Sequence, residues 1–387
     1  MFDICPHRWQ TASKIFRVAC HRLRAFKQVC EVMEMSEVKV GVIGCGMISV
    51  RHFQAYTSLP DVKVIACTDV VIERARQRAT EFDVPHVFSD YRQMLQMEEL
   101  DAVSICTPHA FHAPIAIDAL KAGKHVFCEK PMATTANEAV AMIKAARENQ
   151  KLLEVAIRTR FSPSVQLAKR LVDSGMLGKV YYAEGFIGGR RRIPGWGGSA
   201  FIRKETAGGG VVLDLGVYTM DTLLHILGQP KPVSVSAITS DLIGKSKEAL
   251  VEGGWQWEVN DFEVEDFSAA FVRFEDGMAW VLKMAWAMHA DSLGWTFILG
   301  DKGGLRLEPF ELYRDEHGTM ANITFPALPR PDSLATQISA FINAIKEGRT
   351  TPPTPPEEIM MTNVIIDAIY ESARLGKEVA CNIPKLD

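Results

Sequence analysis

From residue 38 onward, short apolar runs alternate with longer amphipathic stretches. Val38 to Ile43 is apolar at nearly every position, the pattern of a strand covered on both faces. It runs into Gly44-Cys45-Gly46-Met47-Ile48-Ser49, after which the periodicity predicts a helix over about residues 47–58. Val62 to Thr68, Ala102 to Cys106 and Lys124 to Cys128 repeat the short-strand pattern, and an Ala- and Ile-rich stretch predicts a helix over about 111–122. Alternating buried strands and helices predict a parallel, doubly wound sheet.

The second half is patterned differently. Val180 to Ile187 predicts a strand. Val259 to Phe274, the turn Glu275-Asp276-Gly277 and Met278 to Met284 predict a hairpin, with Asp-Gly as its turn signal. Trp295 to Gly300 predicts a further strand. Helices are predicted over about 333–347 and 357–375, returning towards the first domain, with a stiff four-proline linker from Thr350 to Pro356 between them. The expected division is a dinucleotide-binding domain over 37–155 and a substrate-binding and oligomerisation domain over 156–387.

Residues 1–36 stand apart. The first 30 carry six Lys or Arg against one acid, Asp3, and Ile15, Ala19, Leu23, Phe26 and Cys30 recur at helical spacing. Three readings compete: upstream sequence before a true start at Met33 or Met35, an appended helix, or a basic targeting peptide. The first is favoured. Without this segment the chain is more acidic than its net charge of −4 suggests.

Composition narrows the function classes. In 387 residues, 47% hydrophobic content supplies a packed core, and 43 basic against 47 acidic residues leave no basic footprint for nucleic acid. No apolar run reaches the ~18 residues of a membrane span. Among the eight cysteines there is no C-x-x-C pair or zinc spacing, so buried free thiols in a reducing cytoplasm are expected, and no metal.

The glycine loop is where chemistry enters. In G-x-G-x-x-Ser, Gly44 allows a tight turn, Gly46 lets backbone approach a pyrophosphate, and Ser49 lets the helix pack on the strand. The start of that helix, with Met47 and Ile48, offers unpaired N–H groups to an anion. Asp69 ends the second strand 23 residues after Gly46, where a carboxylate can accept both ribose hydroxyls and repel a 2′-phosphate. NAD is therefore expected over NADP, with Arg74 as the counterweight and a helix-capping Asp69 as the bland alternative. Ligands of such sheets bind at the carboxyl ends of the strands, where Thr107, Pro108, His112, Glu129 and Lys130 fall. Lys130, followed by Pro131, is expected to bind a substrate oxygen and stabilise a developing alkoxide.

These stretches, with Glu129-Lys130-Pro131, the run Gly208-Gly209-Gly210 to Asp214, Gly216 and Tyr218, and the closing helices, resemble the Gfo/Idh/MocA oxidoreductases over about residues 37–381. The resemblance implies an N-terminal Rossmann domain and a C-terminal α+β domain with a large, mostly antiparallel open sheet. That sheet is expected to form a homodimer or homotetramer. The implied function is NAD-dependent oxidation of a secondary alcohol on a sugar, sugar acid or cyclitol. Alternatives are a carbonyl or imine reductase, a closed-cycle NAD enzyme, or a sensor that binds NAD without chemistry.

Asp214, Tyr218 and Asp221 are spaced to share one helix face. Many relatives carry His where this chain has Tyr218. The Lys130 ammonium is expected to favour the Tyr218 phenolate, making Tyr218 the proton acceptor in alcohol oxidation, with Asp214 positioning substrate or lysine. Lys130 as the base is the rival assignment; His225 is expected to be a core histidine. Arg160 matches a family position near the active site, and Trp196, in an Arg- and Gly-rich loop, is a candidate for stacking on a sugar.

Overall fold

A computed structural model of the chain describes residues 37–325 and 328–386. The three readings of residues 1–36, and Cys5, Cys20 and Cys30, lie outside the described residues.

The first sheet holds β1 (Val38–Ile43), β2 (Val62–Thr68), β3 (His86–Phe88), β4 (Ala102–Ile105), β5 (His125–Cys128) and β6 (Leu153–Val155). Their order is β3-β2-β1-β4-β5-β6, and every pair is parallel. This is a Rossmann sheet, whose ligand crevice opens between β1 and β4 where the strand order reverses. Crossing between the strands are α1 (Met47–Thr57), α2 (Ile72–Phe82), α3 (Tyr91–Leu95), α4 (His112–Lys121) and α5 (Ala136–Glu148). The start of α5 is set by local sequence. The Thr135 hydroxyl accepts the Glu138 N–H at 3.2 Å, while Glu138 reaches back to the Thr134 N–H at 3.0 Å.

The chain then passes through α6 (Pro163–Asp173) into β7 (Val180–Gly188), α7 (Lys204–Ala207) and α8 (Val217–Ile226). The second sheet adds β8 (Pro232–Ser240), β9 (Phe267–Phe274), β10 (Ala279–Ala285), β11 (Phe297–Gly300), β12 (Gly304–Arg306), β13 (Glu311–Glu316), β14 (Thr319–Thr324) and β15 (Val379–Ala380). Its order is β14-β13-β12-β11-β7-β10-β9-β8-β15, and only the β7–β10 pair is parallel. Strand register places Ile298, Ala183, Trp280, Val272 and Val235 in one row across five strands, all buried. That face packs on α8, so closely that a Cβ at Gly185 would meet the Thr219 methyl. The opposite face carries the row Phe297, Glu184, Val281, Phe271 and Ser236.

One expectation needs correction. The hairpin strand was expected from Val259, but β9 begins at Phe267. Val259–Asp261 forms a short 3₁₀ turn, and Glu265 leaves the sheet pattern to place its buried carboxylate on the backbone of the glycine run. The alternation of apolar residues there serves two different surfaces.

The C-terminal helices are α9 (Ser333–Lys346) and α10 (Pro356–Leu375). Asp332 caps α9, accepting the Leu334 N–H at 2.9 Å, and also binds Arg51 of α1 at 2.9 Å. Leu334, Ile338, Phe341 and Ile342 complete the core that includes Val40, Phe53 and Phe127. The Thr350–Pro356 linker is tied down as well, since Glu154 of β6 accepts the Thr354 N–H at 2.9 Å and the Gln337 amide at 2.6 Å. α10 packs on α5, β8 and α8. The last helices thus clamp the first sheet to the second.

Phe341 is fully buried, with its ring 5.5 Å from that of Phe127. Phe341→Ala is expected to lower unfolding stability by about 3–5 kcal/mol, the cost of an aromatic-sized core cavity. Chemical denaturation of the variant beside the parent checks this.

Candidate active site

The glycine loop has the geometry its residue types require. Gly44 sits at φ +90°, and a Cβ there would lie 2.7 Å from the Cys106 carbonyl oxygen. Any side chain at this turn is excluded twice, by backbone conformation and by contact with the backbone just past β4. A Cβ at Gly46 would meet nothing, so its backbone faces open space at the start of α1. No side chain caps that helix start and no acid occupies its first turn. Ser49 is fully buried and donates to the Gly46 carbonyl at 2.6 Å, which suits the third small position.

Asp69 follows the end of β2. Its two carboxylate oxygens accept the Cys45 and Val71 N–H groups, each at 2.8 Å, leaving further lone pairs for a diol. Met47 is 62% exposed on the lip of the loop. Across the crevice, the Thr107 hydroxyl is buried without a hydrogen-bond partner among the described residues. An open glycine cradle, an uncapped helix start, a diol-accepting carboxylate and an unsatisfied hydroxyl fit a nicotinamide dinucleotide.

Lys130 and Asp214 meet over this crevice. The lysine comes from the end of β5 and the aspartate from a single π-turn, Val212–Gly216, that leads into α8. Lys130 Nζ donates to Asp214 Oδ1 at 2.7 Å and to the Asp214 carbonyl at 2.8 Å. The other carboxylate oxygen accepts the Trp286 indole N–H at 3.0 Å. Burial opposes the lysine charge, but Asp214, with help from Glu129, prevails and holds its pKa above the ordinary lysine value. Burial likewise opposes the Asp214 charge and is overcome by Lys130, so the aspartate stays below the usual carboxylate range.

Tyr218 lies beside the pair, with Lys130 Nζ 4.8 Å and the Arg158 guanidinium 5.1 Å from the ring centroid. Lys130 pulls the Tyr218 pKa down, as expected, but the net result is not a phenolate. The ammonium sits over the ring face, and burial, with Glu129 and Asp214, raises the Tyr218 pKa by more than Lys130 and Arg158 lower it. Tyr218 is therefore a neutral phenol at physiological pH.

Residues 38–157 match the family described as "Oxidoreductase family, NAD-binding Rossmann fold". Residues 165–306 match the GFO/IDH/MocA C-terminal domain. D-glucoside 3-dehydrogenase of Escherichia coli is 30% identical over 350 residues, spanning 90% of this chain and 98% of that protein. The chain belongs to the GFO/IDH/MocA oxidoreductase family. Levoglucosan dehydrogenase of Pseudarthrobacter phenanthrenivorans is 27% identical over 396 residues, covering 91% of this chain and all of that one. A solved levoglucosan dehydrogenase in complex with NADH and levoglucosan superposes with a TM-score of 0.76 at 23% identity, over 89% of this chain and 99% of that one, a likeness of fold.

Within this GFO/IDH/MocA chain, the remaining expected residues are placed as follows. Pro108 turns the chain out of β4 towards His109. His112 is fully buried, with one ring nitrogen 2.7 Å from the Pro131 carbonyl and the other 2.9 Å from that of Thr107. Burial lowers its pKa, so the neutral ring donates to one of these two carbonyls, and both nitrogens face backbone rather than open space. Glu129 is buried against His52 at 2.9 Å, bracing β5 on α1. Arg160 grips Asp221 with two hydrogen bonds, at 2.9 and 2.7 Å, and also binds Glu358. Its guanidinium is committed to that network, as is Asp221, so these two hold α8 in place. His225 does not sit satisfied in a core: it lines a cavity with Arg160, Gln229 and Glu358, and its Nε2 has no partner among the described residues.

Three further residues shape the site. His109 is buried, its Nδ1 3.2 Å from the Ala207 carbonyl, and burial together with Lys130 pushes its pKa down to about 3. It is a neutral imidazole with the proton on Nδ1. Trp286 orients Asp214. Glu265 accepts the Gly210 and Val212 N–H groups at 2.9 and 3.0 Å and the Tyr370 hydroxyl at 2.9 Å, fixing the turn that carries Asp214. His109 had a legible signal, lying directly after the strand-end Thr107-Pro108. Trp286 and Glu265 had none.

Asp69→Ser removes the charge that repels a 2′-phosphate. The KM for NAD should rise about tenfold or more while NADP becomes a usable cofactor, as read by steady-state kinetics with each cofactor.

Proposed function

We propose that this protein oxidises a ring hydroxyl of a sugar or cyclitol to a ketone, with NAD as hydride acceptor. The observation that carries this reading is the buried Lys130–Asp214 pair at the carboxyl edge of the Rossmann sheet, with the neutral Tyr218 phenol beside it. Two relatives matched over nearly their whole length, a glucoside and a levoglucosan dehydrogenase, support the substrate class. When bound, the nicotinamide takes the carbinol hydride in oxidation and returns it in reduction.

The chain's own residues handle the proton. Lys130 exchanges it with the substrate oxygen, Asp214 supplies the counter-charge, and Tyr218 donates a hydrogen bond to that oxygen. Because Lys130 is protonated at neutral pH, it is set to give a proton to a ketone. To accept one from an alcohol it must first be neutral. Oxidation should therefore quicken with rising pH, and this same observation favours ketone reduction near neutrality as a second reading.

The outer face of the nine-stranded sheet is the proposed interface for a second copy of the chain. Phe297, Val281 and Phe271 stand in one cross-strand row there, and Ile238 is 61% exposed beside it. Apolar side chains on an open sheet of this extent need covering. A cytoplasmic location is proposed from the unpaired thiols of Cys45, Cys67, Cys106 and Cys128, all buried and all suited to a reducing compartment. Among the described residues no helix is long and apolar enough to cross a membrane.

NADH formation at 340 nm across glucosides, anhydrosugars and inositols tests the reaction; absence of turnover with every compound in either direction would sink it. Lys130→Met should lower kcat by about 10²–10⁴-fold. Asp214→Asn, by removing the negative charge that raises the lysine pKa, should shift the alkaline limb of the oxidation profile down by about one pH unit while lowering kcat. Light scattering should give a mass two or four times that of one chain; a monomer at micromolar concentration would refute the interface.

A further inference from the structure

Trp196 and Trp255 are 49% and 45% exposed, side by side. Their rings meet edge to face at 6.3 Å and 84°. Phe201 tilts against Trp196 at 5.2 Å, and the Phe201 ring meets His109 edge-on at 5.4 Å. His109 in turn lies 5.8 Å, ring centroid to ring centroid, from His112, which sits 2.7 Å from the carbonyl of Pro131, the neighbour of Lys130. An unbroken aromatic wall thus runs from the reacting groups to the surface. Single exposed aromatics need no explanation, but a contiguous row that ends at a catalytic pair does.

The backbone beneath the wall is braced. Gly195, next to Trp196, packs so closely on the other loop that a Cβ there would lie 1.7 Å from the Gln256 carbonyl oxygen. The Trp255 N–H donates to the Arg191 carbonyl at 3.3 Å. Arg203 pairs with Asp261 at 2.6 Å, and the Ser199 hydroxyl donates to the same carboxylate. The backbone that carries the two tryptophans is thus tied in place, which lowers the ordering entropy a ligand must offset.

The wall is longer than one sugar ring needs. From His109 the row passes to Phe201 and then to Trp196 and Trp255. We propose that Trp196 and Trp255 form a subsite for a second ring, joined to the oxidised sugar by a glycosidic bond. This rests on the sugar-dehydrogenase reading. Faces of pyranose and aryl rings alike offer C–H groups or π-surface to an indole, so the shared chemistry is a flat ring on the anomeric oxygen.

The test compares Trp196→Ala and Trp255→Ala with the parent, using the full chain. Cellobiose, maltose and phenyl α- and β-D-glucosides carry a second ring; the methyl glucosides do not. The rise in KM for two-ring compounds should exceed that for methyl glucosides by about tenfold, the upper end of an aromatic stacking contribution. A response to the disaccharides alone identifies a sugar subsite, and a response to the phenyl glucosides alone an aryl subsite. Equal effects on all compounds, or none, overturn the proposal. Tryptophan fluorescence titration with NADH present reads binding without turnover. If nothing turns over yet two-ring compounds bind the parent about tenfold tighter than methyl glucosides, and Trp196→Ala abolishes the difference, the subsite stands while the dehydrogenase reading falls. If methyl glucosides turn over and no preference appears, the subsite alone falls. A changed solution mass with unchanged KM values would make the aromatics an interface between copies, and would likewise overturn it.

Discussion

The contact between Lys130 and Asp214 is the constraint on which the arrangement depends. The two residues are 84 positions apart and belong to different sheets' territories, so the ion pair exists only when both halves are docked. Removing two charges from water costs several kcal/mol per ion unless remaining hydrogen-bonding capacity is filled. Here the Asp214 carbonyl and the Trp286 indole help to fill it. A small displacement of either half would leave a buried charge uncompensated. The clamping of the first sheet by α9 and α10, the anchoring of the π-turn by Glu265 and the Arg160–Asp221 grip on α8 all oppose such a displacement.

Burial and that ion pair together set the protonation of the cleft. Lys130 is held charged and Asp214 ionised, while Tyr218 and His109 are held neutral. The cleft therefore offers fixed donors and one imidazole acceptor within a small space. A polyol, whose hydroxyls both give and accept hydrogen bonds, suits such a mixture better than a purely anionic or apolar ligand would. The environment also reverses a simple pairwise inference. A lysine near a tyrosine lowers its pKa in isolation, but the same burial that brings them together raises it more.

Much of the fold was legible from local pattern. The buried runs of β1, β2, β4 and β5, the glycine loop, the limits of α1 and α4 and the Asp276-Gly277 turn follow from periodicities and backbone preferences that act over a few residues. Lys130 and Asp214 were likewise legible as candidate site residues, because a strand end and a glycine-led helix start constrain where a side chain can go. Arg160 and His112 were harder. Each is a polar residue beside the site, and nothing in a linear chain tells a side chain that contacts ligand from one that supports its neighbour. Asp221 decides the first case and two backbone carbonyls the second.

What the sequence by itself determined was the order of elements and the class of cofactor, with Lys130 and Asp214 as candidate site residues, since these depend on short-range spacing. Only the tertiary structure decided the protonation of Tyr218, the roles of Trp286 and Glu265, and the joining of Trp196, Trp255, Phe201 and His109 into one wall. The reason is physical. Desolvation, long-range hydrogen bonds and ring contacts depend on distances between residues tens to hundreds of positions apart, and those distances exist only once the two sheets have been packed together.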